Sequence, residues 1–211
     1  MTLQEQFGNI DIYLFDQLLR GRLRPGMRVL DAGCGGGRNL VYLLRRGLDV
    51  CATDADPDAI ARVRALAATL APELAASNFR LESVERCSFD DGAFDFVISN
   101  AVLHFARDDE HFDAMVQELW RVLAPGGVLF SRLASSVGLE GELDDRGSNR
   151  FLLPDGSERY LVTEVRLLDT TRRLGGTLLD PLKTTLVHGQ RSMTTWVVGK
   201  SPGATATSHG G

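Results

Sequence analysis

The chain has 211 residues, of which 44% are hydrophobic, and its 28 acidic and 23 basic side chains give a net charge of -5. This size suits one domain, and the composition is that of a globular chain rather than a disordered one. No apolar run approaches the roughly 18 residues that span a bilayer, the N-terminus lacks a signal-peptide pattern, and no basic stripe is present. We therefore expect a cytoplasmic protein without a membrane or nucleic-acid partner.

Helix and strand patterns alternate through the first half of the chain. Apolar residues repeat every four positions from Ile10 to Leu18, which predicts an amphipathic N-terminal helix within residues 1–24. Asp56 followed by Pro57 is typical of a helix start, because aspartate caps the helix and proline fits its first turn. The other predicted elements of this half are strands at 28–31, 49–53 and 79–83 and helices at 39–46 and 57–70.

The second half predicts another amphipathic helix, on which apolar residues from Phe112 to Leu123 share one face. The stretch 134–160 is rich in Gly, Asp and Ser and has little apolar pattern, which indicates a long surface connection on the substrate side. Residues 201–211 carry no core-forming side chains, so we expect a disordered tail. The other predicted elements of this half are strands at 94–99, 128–133, 178–187 and 192–198 and a helix at 161–174.

This alternation of strands and helices predicts the fold class. A parallel connection needs a crossover about as long as a helix, so alternating elements favour a mostly parallel sheet. We predict an α/β fold with a doubly wound, Rossmann-like sheet and helices on both faces. The short turn at 188–191 indicates that the last two strands form a hairpin. Residues 1–200 are expected to form a single domain.

A glycine-rich turn at residues 33–37 follows the first predicted strand and lets a ligand approach the backbone closely. The dinucleotide-binding fingerprint requires a glycine where this chain has Arg38. Asp31 ends the first strand, and its charge would repel a diphosphate but attract an ammonium or sulfonium group. Asp54 ends the second strand, where a carboxylate can accept hydrogen bonds from both ribose hydroxyls. These residues favour a nucleoside cofactor that carries positive charge.

The sequence resembles the class I S-adenosylmethionine-dependent methyltransferases through four motifs in the expected order. Within that class it is most similar to the small tellurite-resistance and ubiquinone-biosynthesis types. The resemblance implies S-adenosyl-L-methionine as cofactor and a sheet of seven strands with the last one antiparallel. The four motifs are Val29–Asn39 (VLDAGCGGGRN), Ala52–Pro57 (ATDADP), Phe94–Ser99 (FDFVIS) and Arg121–Gly127 (RVLAPGG).

The resemblance also implies roles for single residues in cofactor binding. Asp31 and the turn glycines would surround the methionine half, Asp54 would bind the ribose and Ala55 would lie beside the adenine. Many relatives have an acid at the end of the third strand for the adenine amino group, but this chain has Ser83 there. The cofactor-binding residues implied in this way are Asp31, Gly33, Cys34, Gly35, Gly37, Asn39, Asp54, Ala55, Ser83, Val84, Asn100 and Ala101.

Methyl transfer depends mainly on aligning donor and acceptor and on excluding water, so no dedicated nucleophile is required. A general base matters only for an acceptor that arrives protonated. His104, just after the fourth strand, is the candidate for this catalytic role, and the alternative is a loop histidine without a chemical function.

The absence of several motifs reduces the number of possible classes of methyl acceptor. Residues 99–102 lack the two prolines typical of amino-group methylation in bases and glutamine, and no cysteine follows Cys87 to serve cytosine C5 chemistry. The histidines, cysteines and acids show no ligand spacing, so we expect no metal. A small-molecule acceptor remains, methylated at oxygen, nitrogen, sulfur or a chalcogenide. The sequence leaves open whether the protein is a monomer or a homodimer.

Two other functions are compatible with parts of this pattern. One is a module that binds S-adenosylmethionine without turnover, because no residue essential for chemistry is visible. The other is a nicotinamide-dependent oxidoreductase, which Asp31 and Arg38 disfavour.

Overall fold

The computed structural model describes residues 2–139, 141 and 143–203. Helices and strands alternate along most of this range. The helices are α1 (Leu3–Phe7), α2 (Ile12–Leu19), α3 (Val41–Arg45), α4 (Pro57–Leu70), α5 (Asp109–Val122) and α6 (Glu164–Arg173). The strands are β1 (Arg28–Ala32), β2 (Asp49–Asp54), β3 (Phe79–Leu81), β4 (Phe94–Asn100), β5 (Leu123–Ala134), β6 (Asp144–Asp145), β7 (Arg150–Leu152), β8 (Glu158–Tyr160), β9 (Gly176–Leu178), β10 (Lys183–Val187) and β11 (Arg191–Lys200).

The main sheet has the order β3-β2-β1-β4-β5-β11-β10. Pairs from β3 to β5 are parallel, and β11 is antiparallel to β5 and to β10. Short strand β9 pairs with the far end of β11, on the edge that β10 also occupies. The sheet is therefore seven strands wide, and β11, the last strand of the chain, is antiparallel to its neighbours. This confirms the predicted α/β architecture.

The predicted strand at 178–187 is wrong in one respect, because the structure divides it into β9 and β10. Pro181 lies between them and has no N–H to donate to a neighbouring strand. The buried carboxylate of Asp180 accepts hydrogen bonds from Arg22 at 2.7 Å and Gln17 at 3.2 Å. The edge of the sheet is thereby tied to the N-terminal segment.

Each face of the sheet is covered by its own apolar cluster. Helix α5 buries Phe112, Val116 and Leu119 on one face, as its predicted apolar stripe requires. Helices α2, α3 and α4 cover the other face, where Leu14 and Val63 are fully buried. Burial on both faces confirms the doubly wound arrangement and leaves the carboxyl ends of the parallel strands free to form a site.

The N-terminal segment holds two short helices instead of the single predicted one. Gly8 ends α1 with a φ of 64°, a backbone conformation that favours glycine. Asp11 then starts α2, and its carboxylate accepts the N–H of Tyr13 at 2.9 Å. The four-residue apolar repeat that begins at Ile10 therefore forms a helix only from Ile12, the first residue of α2.

The connection after β5 has more structure than its composition predicts. Strands β6, β7 and β8 form a small antiparallel sheet. It covers an apolar cluster in which Leu139, Leu153 and Leu161 are buried. These leucines are widely spaced among polar residues, so they give no periodic signal.

Two further predictions concern the sheet boundary and the chain end. Strand β5 begins at Leu123 rather than 128 and passes through the Pro125-Gly126-Gly127 sequence, where its register with β4 shifts. The predicted disordered tail falls mostly on residues 204–211, which lie outside the described residues. None of the described helices has the length and apolar character needed to cross a membrane.

Candidate active site

A cavity of about 510 Å³ opens at the carboxyl ends of β1, β2 and β4. Parallel strands end at one edge of the sheet, and the loops that follow them meet there. Most residues implied as cofactor contacts line this cavity. They are Gly33, Cys34, Gly35, Asn39, Asp54, Ala55, Ser83, Val84, Asn100 and Ala101.

The glycine turn forms one wall of this cavity, and a side chain would be unfavourable at its glycines for different structural reasons. Gly33 has a φ of 79°, and a Cβ there would lie 2.5 Å from a methyl group of Val102. Gly35 has a φ of 52°, and a Cβ there would meet no atom within 4 Å. Gly37 does not line the cavity, and a Cβ on it would press on Val63 at 3.1 Å. Gly37 therefore serves packing against α4 rather than ligand contact.

Asp54 fixes the shape of the turn. Its Oδ2 accepts the N–H of Gly35 at 2.8 Å, and its Oδ1 accepts the N–H of Asp56 at 2.9 Å. Each carboxylate oxygen has a further lone pair, so the group can hold the turn and still accept hydrogen bonds from a ligand. Asp54 lines the cavity and is partly exposed, as ribose binding requires.

Several buried polar side chains at this edge lack partners among the described residues, and Asp31 and Asn100 are two of them. Asp31 Oδ2 makes no hydrogen bond, and burial raises the pKa of this carboxyl to about 7, with the charge of Asp54 adding to the effect and Arg38 opposing it. Both amide atoms of Asn100 are buried and unpaired. Asp31 itself lies behind the lining residues, whereas Asn100 lines the cavity. Buried polar groups are normally hydrogen-bonded, so these residues fit a polar, positively charged ligand.

The far end of the cavity is formed by residues after β3 and by α5. Ser83, Val84 and Glu85 line it on one side, and His111 and Met115 line it on the other. Glu85 Oε1 lies 3.4 Å from His111 Nε2. The sequence prediction missed the two α5 residues, because the helical periodicity of α5 assigned Met115 to the core and left His111 without a role.

Asn39 lines the cavity but already has a structural partner. Its Oδ1 accepts the backbone N–H of Asp11 at 3.0 Å. The Asp11 carboxylate in turn pairs with Arg38 at 3.2 Å and with Arg132 at 2.9 Å. These contacts dock the start of α2 beside the cavity.

His104 lies in a short 3-10 turn after β4, outside the first cavity. It lines a second cavity of about 430 Å³ that shares Arg38 and Ala101 with the first. Its Nδ1 accepts the N–H of Ala134 at 3.3 Å. Burial, with the nearby charge of Arg159, lowers the pKa of His104 to about 4, so the imidazole is neutral near pH 7.

This low pKa makes the free energy of unfolding depend on pH. An unfolded chain protonates His104 near pH 6.5 and the folded chain only near pH 4, so stability falls as the pH drops through this window. The loss at pH 4 is about 3 kcal/mol at about 1.4 kcal/mol per pKa unit. Urea unfolding of the wild-type protein and of His104→Gln at pH 7.5 and 4 measures it, because the shared titrations cancel. Equal losses in the two proteins would contradict the assignment.

Ala101 stands between the two cavities and lines both. Its φ of 63° is unusual for a residue with a side chain, and its N–H donates to the carbonyl of Arg132 at 2.7 Å. Such backbone strain is commonly found where a ligand or substrate must approach closely. No group of three or more His, Cys, Asp or Glu residues in the described ranges is arranged to hold a metal ion.

Comparison with known proteins identifies the domain. Residues 30–131 match the methyltransferase domain family. The malonyl-[acyl-carrier protein] O-methyltransferase of Serratia marcescens is 36% identical over 165 residues, which are 71% of this chain and 60% of that protein. The ubiquinone biosynthesis O-methyltransferase of Xanthomonas campestris is 31% identical over 141 residues, 64% of this chain and 56% of that protein. The chain thus spans somewhat more than half the length of these curated relatives.

Solved structures agree on the fold. A methyltransferase from Methanosarcina mazei superposes with a TM-score of 0.68 at 21% identity, covering 88% of this chain and 98% of that one. The 1,6-didemethyltoxoflavin-N1-methyltransferase of Burkholderia thailandensis, solved with S-adenosylhomocysteine, gives a TM-score of 0.66 at 20% identity, covering 89% and 76%. Residues 30–131 therefore carry a methyltransferase domain, in agreement with the resemblance of the motifs to the class I S-adenosylmethionine-dependent methyltransferases.

Proposed function

We propose that this protein transfers a methyl group from S-adenosylmethionine to a small-molecule acceptor. The observation that carries the proposal is the first cavity, where Asp54 holds the glycine turn and Asn100 keeps unpaired polar atoms, with the unpaired Asp31 behind the lining. When bound, S-adenosylmethionine supplies an activated methyl group on a positively charged sulfur. Burial raises the pKa of Asp31 to about 7, and a positively charged ligand nearby would favour its ionised form and be attracted to it. The Asn100 amide offers both a donor and an acceptor to the methionine end of the ligand.

The acceptor side requires positioning more than acid–base chemistry. Alignment and exclusion of water supply most of the acceleration in this type of transfer. His104 is buried and has a low pKa, so it is a weak base that assists or orients an acceptor rather than carrying the reaction. Oxygen, nitrogen, sulfur and chalcogenide acceptors all suit this arrangement.

Two chain segments are proposed to enclose the acceptor. We propose that residues 1–200 act as one methyltransferase domain and that segments 1–24 and 134–160 close over the acceptor. Asp11 in the first segment binds Arg38 and Arg132, and Leu153 in the second lines the second cavity. The three buried, free cysteines fit a reducing compartment such as the cytoplasm.

Binding of S-adenosylhomocysteine should slow hydrogen exchange in both segments more than in α4. Ligand in the first cavity contacts Arg38 and Asn39, to which Asp11 is bound, so it should stabilise the docked segment. Exchange measured by mass spectrometry with and without the ligand tests this. Unchanged exchange in both segments would contradict their role around the acceptor.

The Asp54→Ala variant tests the cofactor site. Loss of its carboxylate removes the acceptor for Gly35 N–H and the proposed bonds to ribose, each worth about 1.5 to 3 kcal/mol for a charged group. Affinity for S-adenosylmethionine should fall by roughly ten- to a hundredfold, as measured by calorimetry. Asp49→Ala, at the opposite end of β2, is the matched control and should bind normally.

Unchanged affinity in a folded Asp54→Ala protein would remove Asp54 from the cofactor site.

A second measurement distinguishes an enzyme from a module that binds S-adenosylmethionine without turnover. The wild-type protein is mixed with S-adenosylmethionine and a panel of small acceptors, and formation of S-adenosylhomocysteine is followed. Cofactor binding without formation of that product across the panel would favour the module.

A further inference from the structure

The second cavity has an unusual charge for this protein. Four arginines line it, whereas Asp155 is the only carboxylate among its described lining residues. The buried Asp11 adds one negative charge from behind, which leaves a surplus of two positive charges. The chain as a whole has a net charge of -5, so this surplus is local and opposite in sign. The four arginines are Arg38, Arg132, Arg159 and Arg191.

These arginines retain hydrogen-bonding capacity. Arg159 and Arg191 form no salt bridge within 4.0 Å with any described residue, and Arg159 lies over the ring of Phe105 at 5.0 Å. Arg132 uses one terminal nitrogen on Asp11, while its buried Nε has no partner in the described part of the chain. A guanidinium binds a carboxylate through two parallel hydrogen bonds, and a buried unpaired donor is costly without such a partner.

The rest of the lining combines apolar side chains with Ser157 and the neutral His104. Leu153, Val187, Met193 and Ala134 supply the apolar part of this lining. A volume of about 430 Å³ accommodates a small metabolite with an apolar body. Through Arg38 and Ala101 the cavity adjoins the proposed cofactor site, so a molecule held here is close to the methyl donor.

We propose that the second cavity binds the methyl acceptor and that the acceptor is a small molecule with an apolar body and a carboxylate, held by Arg132, Arg159 and Arg191. This inference rests on the proposed methyltransferase function and adds the chemical class of its substrate. The carboxylate anchors the molecule, and the atom that receives the methyl group lies toward Ala101. His104 stays neutral beside the anchor and adds no charge of its own.

Three probes with the same ring and different head groups test the proposal. They are benzoate, benzamide and phenyl phosphate, each titrated into the wild-type protein saturated with S-adenosylhomocysteine. The carboxylate probe should bind at least tenfold more tightly than the neutral amide. The double variant Arg159→Gln/Arg191→Gln should lose this preference, while Arg172→Gln, on the exposed face of α6, should keep it.

The outcomes separate this inference from the proposed function. If S-adenosylhomocysteine fails to bind the wild-type protein, the proposed function fails and the inference with it. If it binds normally but the acid and the amide bind equally, or neither saturates at millimolar concentration, the inference alone is wrong. Tighter binding of phenyl phosphate than of the carboxylate would also overturn it, in favour of a phosphate-bearing acceptor. Unchanged S-adenosylhomocysteine affinity in the double variant shows that it is folded.

Discussion

The Asp31→Asn variant should be more stable than the wild-type protein without ligand and should bind S-adenosylmethionine more weakly. Asp31 is 1% exposed, and its Oδ2 has no partner in the described residues. Its pKa is raised to about 7, so the folded chain prefers the protonated form, and the stability that this gives is lost as the pH rises through 7. At pH 8 the neutral amide avoids this loss, which reaches up to about 4 kcal/mol at about 1.4 kcal/mol per pKa unit.

Urea unfolding at pH 8 and pH 5 measures the effect on stability. The advantage of Asp31→Asn should be large at pH 8 and should shrink as the pH falls, because the wild-type carboxyl then takes up its proton. Glu73→Gln removes an exposed carboxylate and should change little at either pH. Calorimetry with S-adenosylmethionine supplies the second readout, with affinity expected to fall at least tenfold. A variant that is less stable at pH 8, or that binds as tightly as wild type, would show that Asp31 has another role.

The Gly35→Val variant should lose S-adenosylmethionine binding altogether. Gly35 has a φ of 52°, which a β-branched residue adopts only with strain, and its Cβ would point into open space beside the lining of the first cavity. The side chain would therefore occupy the volume that we propose for the cofactor. It would also disturb the N–H that Asp54 accepts.

A control at Gly47 distinguishes backbone strain from blockage of the first cavity. This residue follows α3, has a φ of 65° and also has open space around its Cβ, but it does not line the cavity. Gly47→Val should lose similar stability in thermal unfolding and keep its affinity for S-adenosylmethionine. If Gly35→Val binds with wild-type affinity, the cofactor lies elsewhere. If both variants lose binding equally, loss of stability rather than blockage is the cause.

Local sequence signals were sufficient to predict the parallel sheet and the turn that borders the first cavity. Helix α4 begins at Pro57 after the Asp56 cap, as its sequence requires, because capping depends only on neighbouring residues. The glycine turn and Asp54 were recognisable for the same reason. The turn follows β1 and Asp54 ends β2, so their positions along the chain follow from the strand pattern.

Features that depend on distant contacts were not predictable. The position of His104 after β4 predicts a catalytic role, but only the folded chain shows that it lines a second cavity and accepts a hydrogen bond from Ala134 N–H. The arginines of that cavity come from the residue after the glycine turn and from β5, β8 and β11, so no sequence window contains them together. The small β6–β8 sheet rests on leucines whose spacing follows no period.

The way the β6–β8 segment joins the main sheet also has an engineering consequence. The chain leaves the sheet at Ser135 and returns at Val162, and these two residues form a parallel bridge. Ser136 N–H donates to the carbonyl of Val162 at 3.0 Å, so the two ends of the insertion stand side by side. A segment with adjacent ends can be exchanged between homologous enzymes without moving the glycine turn or Asp54. Chimaeras built at these two points would test whether the segment sets acceptor preference, because the proposed methyl-donor site would stay unaltered.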